Sequence, residues 1–224
     1  MQTTIYLVRH GTTGWNRLLR YQGRADNPLD EYGERQGALL KEYFHDIHVD
    51  LGVTSPLKRA RRTLEYALSS QDHLVPVLVD PGVIEFDFGE LDGLTKEDIR
   101  EQDPVFYRMY VLNEYRAHAA APGGETLVQV YERMRDSLMT IARDHPGQTI
   151  VVASHGTAIQ TFLNYASGIP AERMQRFLLF NVSVSCVAVS DDGVPEVLFI
   201  GDKHHIPEEL AFSYGNPEEA GERK

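Results

Sequence analysis

The 224-residue chain holds one cysteine, Cys186. A single thiol excludes an internal disulfide framework and fits a reducing compartment. No apolar stretch reaches the roughly 20 residues that a membrane-spanning helix needs. The N-terminus has no basic segment followed by an apolar signal core, so a cytoplasmic location is expected. Positive charge is scarce: 22 Lys and Arg stand against 33 Asp and Glu, a formal net charge of -11. That balance argues against nucleic acid or an anionic membrane as partner, because the summed field repels polyanions. A local cationic pocket for a small anion remains compatible with it. No glycine-rich loop ends in Gly-Lys-Ser or Gly-Lys-Thr, and no Gly-x-Ser-x-Gly elbow occurs. Cys186 is not followed by an arginine within its loop, which counts against a cysteine-based phosphatase. No His/Asp/Glu set has convincing metal-ligand spacing. His45-Asp46 with His48, and His204-His205, read as exposed histidines at loops or helix ends. No metal and no cofactor is expected.

What is present has ordinary globular proportions, 42% hydrophobic and 25% charged. The length suits one α/β domain, over 1–214, followed by a polar C-terminal tail at 215–224. The organising stretch is Ile5-Tyr6-Leu7-Val8-Arg9-His10-Gly11. An unbroken β-branched and aromatic run reads as a buried strand, and Gly11 ends it. His10 at its tip, beside the fixed cation Arg9, lies at the carboxyl edge of a sheet, where open α/β sheets collect ligands. An imidazole nucleophile beside an anion clamp is one reading. A strand end facing water is the other.

Downstream, Asp30 is placed to cap a helix that buries Leu39, Leu40, Tyr43, Phe44 and Ile47. Val49 to Thr54 reads as a strand. Ser55-Pro56 then predicts a helix start, with Lys58, Arg59, Arg61 and Arg62 in its first turn. Cations conflict with the macrodipole there, and a bound anion relieves the conflict. Val75 to Asp80 reads as a third strand. In Ile84-Glu85-Phe86-Asp87-Phe88-Gly89, carboxyls alternate with aromatic rings. Desolvation beside such rings raises a carboxyl pKa and suits a general acid. Thr95 predicts a helix cap, and about 95–121 reads as an irregular helical insertion over the sheet edge. Thr126 and Gln129 form a capping box before a long amphipathic helix. Thr149 to Ser154 is another buried strand, and it also runs into a histidine and glycine, His155-Gly156. In a parallel sheet both strand ends can meet at one edge. Val182 to Ser190 and Glu196 to Ile200 pair across a turn at Asp191-Asp192-Gly193.

Taken together these blocks resemble the histidine phosphatase superfamily, the group that includes phosphoglycerate mutase. Leu7-Val8-Arg9-His10-Gly11-Thr12 is similar to its signature, with Trp15-Asn16 and Gln22-Gly23 after it. Ser55-Pro56-Leu57-Lys58-Arg59-Ala60 with Thr63, then Glu85 with Phe88-Gly89 and Gly93, Gly123-Gly124-Glu125 and Ser154-His155-Gly156 follow in family order. The resemblance covers about residues 4–201. It implies a three-layer α/β/α sandwich with a mostly parallel central sheet. It also implies His10 as a nucleophile that carries a phosphohistidine. Arg9 and Arg59 would clamp phosphoryl oxygens, and His155 would stabilise charge as an imidazolium. Glu85 would serve as acid and then base. Asn16, the backbone at Gln22 and Gly23, and Gly156 would complete the substrate site, with no metal required.

One departure is Thr12-Thr13-Gly14, where many members carry Glu-Thr. The short, mixed-charge stretch from Asp98 to Glu114 and the Glu85–Glu90 segment resemble the phosphatase branch, with α-ribazole phosphatase and broad-specificity enzymes. A phosphoric monoester hydrolase of the histidine acid type is therefore expected, acting on a small phosphorylated metabolite, as monomer or homodimer. A phosphoglycerate mutase and a non-catalytic phosphate-binding protein are the alternatives.

Overall fold

Ile5, Leu7 and Val8 have no exposed surface, and they sit in β1 (Thr3–Arg9) at the middle of a sheet. A computed structural model describes residues 2–114 and 116–212. After β1 come α1 (Gly14–Arg17), α2 (Glu31–Tyr43), β2 (Leu51–Thr54), α3 (Lys58–Leu68) and β3 (Val77–Val79). Next are α4 (Lys96–Gln102), α5 (Pro104–Phe106), α6 (Leu127–Asp144), β4 (Thr149–Ser154) and α7 (Gly156–Ala166), then β5 (Val184–Val189) and β6 (Pro195–Asp202). The strand order is β3-β2-β4-β1-β5-β6. β3, β2, β4 and β1 are mutually parallel, and β5 and β6 add an antiparallel hairpin at one side.

Strand side chains alternate between faces, so each central strand serves two cores. Ile5, Leu7, Ile150 and Val152 join Leu127, Met134, Leu138, Ile159 and Phe162 from α6 and α7. Val8, Val151 and Ala153 join Leu40, Ala60, Leu64 and Ala67 from α2 and α3. This is the expected three-layer α/β/α sandwich. Asp30, Thr95 and Thr126 cap their helices as read from the sequence. The register of β1 on β4 matters most for function. Arg9 pairs with Ser154, and the His10 amide donates to the Ser154 carbonyl at 2.9 Å. The residues that follow, His10 and His155, therefore emerge side by side.

Two expectations need correction. The helix after β2 begins at Lys58, with Leu57 in the cap position and no side-chain cap, and the Ser55 hydroxyl accepts from the Leu57 amide at 3.3 Å, too early in the chain to cap the helix itself. The third strand spans Val77–Val79 rather than Val75 to Asp80, and it is exposed at the edge of the sheet. The stripe expected on α2 and the turn after it packs as read, with Leu40 and Phe44 buried and Leu39, Tyr43 and Ile47 partly buried against the same core, and Gly33, Gln36 and Gly37 extend that buried face. The expected polar tail at 215–224, together with residues 213–214, lies outside the described residues.

The described residues between 95 and 121 form short, broken helices. Asp103 accepts from the Phe106 amide and Pro104 starts α5, after which the chain takes a π-helical turn over Tyr107–Val111. Phe106 and Tyr110 are buried and stack on each other at 5.1 Å. Tyr110 also stacks on Phe86 at 5.4 Å, so the insertion packs directly on the loop that carries Glu85. Truncating Phe106→Ala removes the centre of this stack and leaves a cavity, which costs about 3–5 kcal/mol. Chemical unfolding should show that loss, and proteolysis within the insertion should accelerate. A loss well under 1 kcal/mol would mean that the stack holds nothing in place.

Candidate active site

A cavity of about 430 Å³ opens at the carboxyl ends of β1 and β4, lined among others by Arg9, His10, Asn16, Gln22, Glu85 and Gly156. Behind its wall lie Arg59, wholly buried, and His155. The His10 and His155 rings are 5.1 Å apart. The resemblance-derived set is thus brought to one place, with Gly23 as the exception. Its amide donates to Asp92 at 2.8 Å and its carbonyl accepts from Arg59 at 2.7 Å, so it supports the clamp and offers no free donor.

The loop after β1 is pinned from every side. The Gly11 amide donates to Thr63 at 3.1 Å, and the Thr12 amide and hydroxyl both donate to buried Gln36. Asn181 donates to the His10 carbonyl at 2.7 Å. Thr13 caps α1 and its hydroxyl donates to Gln22 at 2.8 Å. The Thr-Thr departure therefore supplies working hydrogen bonds. Val182, beside this loop, has φ +56, a left-handed conformation that a β-branched residue rarely adopts. Its amide donates to the Arg9 carbonyl at 3.0 Å.

His10 is a neutral imidazole with a defined tautomer. Nδ1–H donates to the Gly11 carbonyl at 2.7 Å, which leaves the lone pair on Nε2. Burial holds its pKa well below the usual range, aided by the charges of Arg59 and Arg9. Around His155 the hydrogen bonds and neighbouring charges disfavour the imidazolium that the resemblance implied. The Arg59 Nε–H donates to His155 Nδ1 at 3.2 Å, so that nitrogen carries no proton. His155 Nε2–H then donates to the Ser55 hydroxyl at 2.8 Å. Burial first, then the Arg59 charge, keep its pKa well below normal. Protonating Nδ1 would point one N–H at another. Ser55 went unrecognised as a site residue because Ser-Pro reads locally as a helix cap.

The cations are buried without ion pairs among the described residues. Arg59 donates to the carbonyls of Ala25 and Gly23, both at 2.7 Å. Arg9 Nη1 donates to the Leu179 carbonyl at 2.5 Å, while Arg9 Nε and Gln22 Nε2 are buried donors with no partner. Burial pulls both guanidinium pKa values down to about 10, which leaves them charged at neutral pH. Unspent donors and uncompensated positive charge at one cavity wall suit a tetrahedral oxyanion. Glu85 is buried opposite. Its carboxylate accepts from Phe86 at 2.8 Å, and from Thr157 at 3.1 Å and Ala158 at 3.0 Å in the first turn of α7. Desolvation outweighs these bonds and raises its pKa.

A family profile, the histidine phosphatase superfamily (branch 1), matches residues 5–203. The chain belongs to this superfamily. PhoE of Bacillus subtilis (strain 168), named an uncharacterized phosphatase, is 33% identical over 190 residues, 85% of this chain and 90% of its own. GpmB of Cronobacter sakazakii (strain ATCC BAA-894), named a probable phosphoglycerate mutase, is 33% identical over 183 residues, 82% and 83% of the two chains. The solved structure of Bacillus stearothermophilus YhfR superposes with TM-score 0.83 at 28% identity, covering 92% of this chain and all of that one. For this histidine phosphatase, the mixed six-stranded sheet flanked by helices is the fold of its solved relatives.

Unfolding puts both buried imidazoles in water, where they protonate around the ordinary value of 6.5. The unfolded state then binds more protons than the folded one, so stability falls as pH drops through that value. The limit is about 1.4 kcal/mol per pH unit for each histidine. Glu85 works the other way above its ordinary 4.5, because folding favours its protonated form. Urea midpoints should therefore decline between neutral and mildly acidic pH, more steeply in Glu85→Gln than in the wild type. A midpoint that rises on acidification would contradict two neutral buried histidines.

Proposed function

We propose that this histidine phosphatase hydrolyses small phosphate monoesters through a phosphohistidine on His10, with no metal ion. The observation that carries the reading is the His10 tautomer: Nδ1–H is committed to the Gly11 carbonyl, so Nε2 has the lone pair a nucleophile needs. In the first half-reaction Nε2 attacks phosphorus and the ester P–O bond breaks. Glu85, favoured in its protonated form, gives that proton to the departing alkoxide. In the second, water attacks phosphorus, Glu85 takes a proton from it, and the P–N bond breaks to release inorganic phosphate. Arg9 and Arg59 neutralise the phosphoryl oxygens, while neutral His155 and Ser55 orient Arg59. Charge placed before the reaction begins is the main resource for phosphoryl transfer.

Hydrolysis is favoured over transfer between hydroxyls by the outer cavity. Arg20 donates to the Gly93 carbonyl at 2.6 Å, and Arg176 donates to the carbonyls of Tyr110 and Val111 at 2.6 and 3.1 Å. Two of the three outer cations, the third being Lys96, thus commit a guanidinium nitrogen to main chain, which limits what they offer a second phosphate. The likeness to GpmB keeps mutase activity as the second reading.

With EDTA present, the wild type should hydrolyse an aryl phosphate, and His10→Ala should lose more than about a thousandfold in kcat. Acid-labile phosphate should be trapped on the wild-type protein alone. Turnover that survives His10→Ala would sink the mechanism. Interconversion of phosphoglycerates without release of phosphate would establish the mutase instead. Tight phosphate binding with no turnover of any ester would leave a binding protein.

A further inference from the structure

Behind the acid-bearing loop, one side chain on α6 spends every donor it has. Arg133 Nη1 donates to the carbonyls of Gly82 at 2.9 Å and Ile84 at 2.6 Å. Its Nη2 donates to the Glu85 carbonyl at 2.9 Å and to Glu125 Oε2 at 3.0 Å. Its Nε donates to Glu125 Oε1 at 3.0 Å. A guanidinium has five N–H groups, and all five are committed. The three carbonyls belong to the irregular segment that delivers Glu85. No strand ladder satisfies them there, and buried carbonyls need a partner.

Glu125 grips the same segment beyond Glu85. Its carboxylate accepts from the Asp87 amide at 3.1 Å, and its own amide donates to the Asp87 carbonyl at 3.1 Å. The neighbouring glycine is required for this approach, since a Cβ at Gly124 would sit 2.3 Å from the Asp87 carbonyl oxygen. Arg24 bridges Asp87 and Glu125 at 3.1 and 3.0 Å from the solvent side. Glu85 is thus held twice: its carboxyl by the first turn of α7, its backbone by Arg133 and Glu125.

We propose that Arg133 and Glu125 are positioning residues for Glu85, setting the main-chain path that aims its carboxyl at the leaving-group oxygen. Neither side chain lines the cavity, so the effect is transmitted through the loop. The inference rests on Glu85 being the general acid. A lysine at position 133 could keep the charge but not the planar fork that reaches three carbonyls and a carboxylate together. A misplaced acid penalises esters whose leaving group needs a proton. An ester with an acidic phenol, which departs unassisted, is spared.

The test compares kcat/KM for p-nitrophenyl phosphate and a simple alkyl phosphate in the wild type, Arg133→Met, Arg133→Lys, Glu125→Gln and Glu85→Gln, with thermal melts of each. In the two position-133 variants the alkyl ester should lose about a hundredfold and the aryl ester no more than about threefold. Glu125→Gln, which leaves the three carbonyl bonds intact, should show the same selectivity at smaller size, and it serves if the position-133 variants do not fold. Equal losses on both esters, or none, would overturn the positioning role. Glu85→Gln separates the two claims. If it spares the alkyl ester, the acid assignment fails and the positioning role falls with it. If it is selective while Arg133→Met and Glu125→Gln are not, only the positioning role fails.

Discussion

Two positive charges buried behind a strand end, with carbonyls and one neutral ring as their partners, set the terms for everything around them. Arg9 and Arg59 meet Leu179, Gly23, Ala25 and His155, and no carboxylate pairs with either among the described residues. Burying such charge is costly. The cost is sustained because the rest of the site adapts to it. Both histidines are held neutral, and each has one nitrogen assigned to a fixed partner. The pocket thereby keeps an electrostatic deficit that a tetrahedral anion would fill.

Rigidity follows from the same requirement. A guanidinium that forgoes a counter-ion stays in place only if its surroundings cannot relax around it. Hence the loop after β1 is tied to α3 through Thr63, to α2 through Gln36 and to the segment before β5 through Asn181. Gly33 contributes by absence, since a Cβ there would sit 2.1 Å from the Thr12 carbonyl oxygen. On the opposite wall the main chain that carries Glu85 is bonded by a different cation, Arg133, whose donors are fully spent on it and on Glu125. One arginine pair is kept hungry for an anion while another arginine serves as scaffold. The difference lies in whether their N–H groups find protein acceptors.

Much of this was legible one residue at a time. Unbroken apolar runs at Ile5–Val8 and Ile150–Ala153 marked buried parallel strands because both faces of such a strand are covered. Asp30, Thr95 and Thr126 announced their helices through local capping chemistry. Where local chemistry fell short, a distant partner was at work. The Ser55 hydroxyl takes the Leu57 amide locally but also serves His155, 100 residues away, a role that no local pattern shows. Gly23 marks a real feature of the site, yet its amide is taken by Asp92. Gln36 lies on a helix face that the apolar pattern assigned to Leu39 and Tyr43, since a buried polar anchor leaves no mark on hydrophobic periodicity.

The sequence by itself determined the elements and the inventory: which runs become strands, where most helices begin, and that two His-Gly strand ends, two arginines and an acid flanked by aromatics are available. These depend on propensity, capping and periodicity over a few residues. Only the tertiary structure decided the protonation states. Whether His155 is an imidazole or an imidazolium depends on Arg59 Nε–H facing its Nδ1, a contact between residues 96 apart in the chain. Whether Arg133 is a surface charge or a scaffold depends on three carbonyls from another segment. Burial and hydrogen-bond direction are properties of the assembled neighbourhood, and no stretch of chain carries them alone.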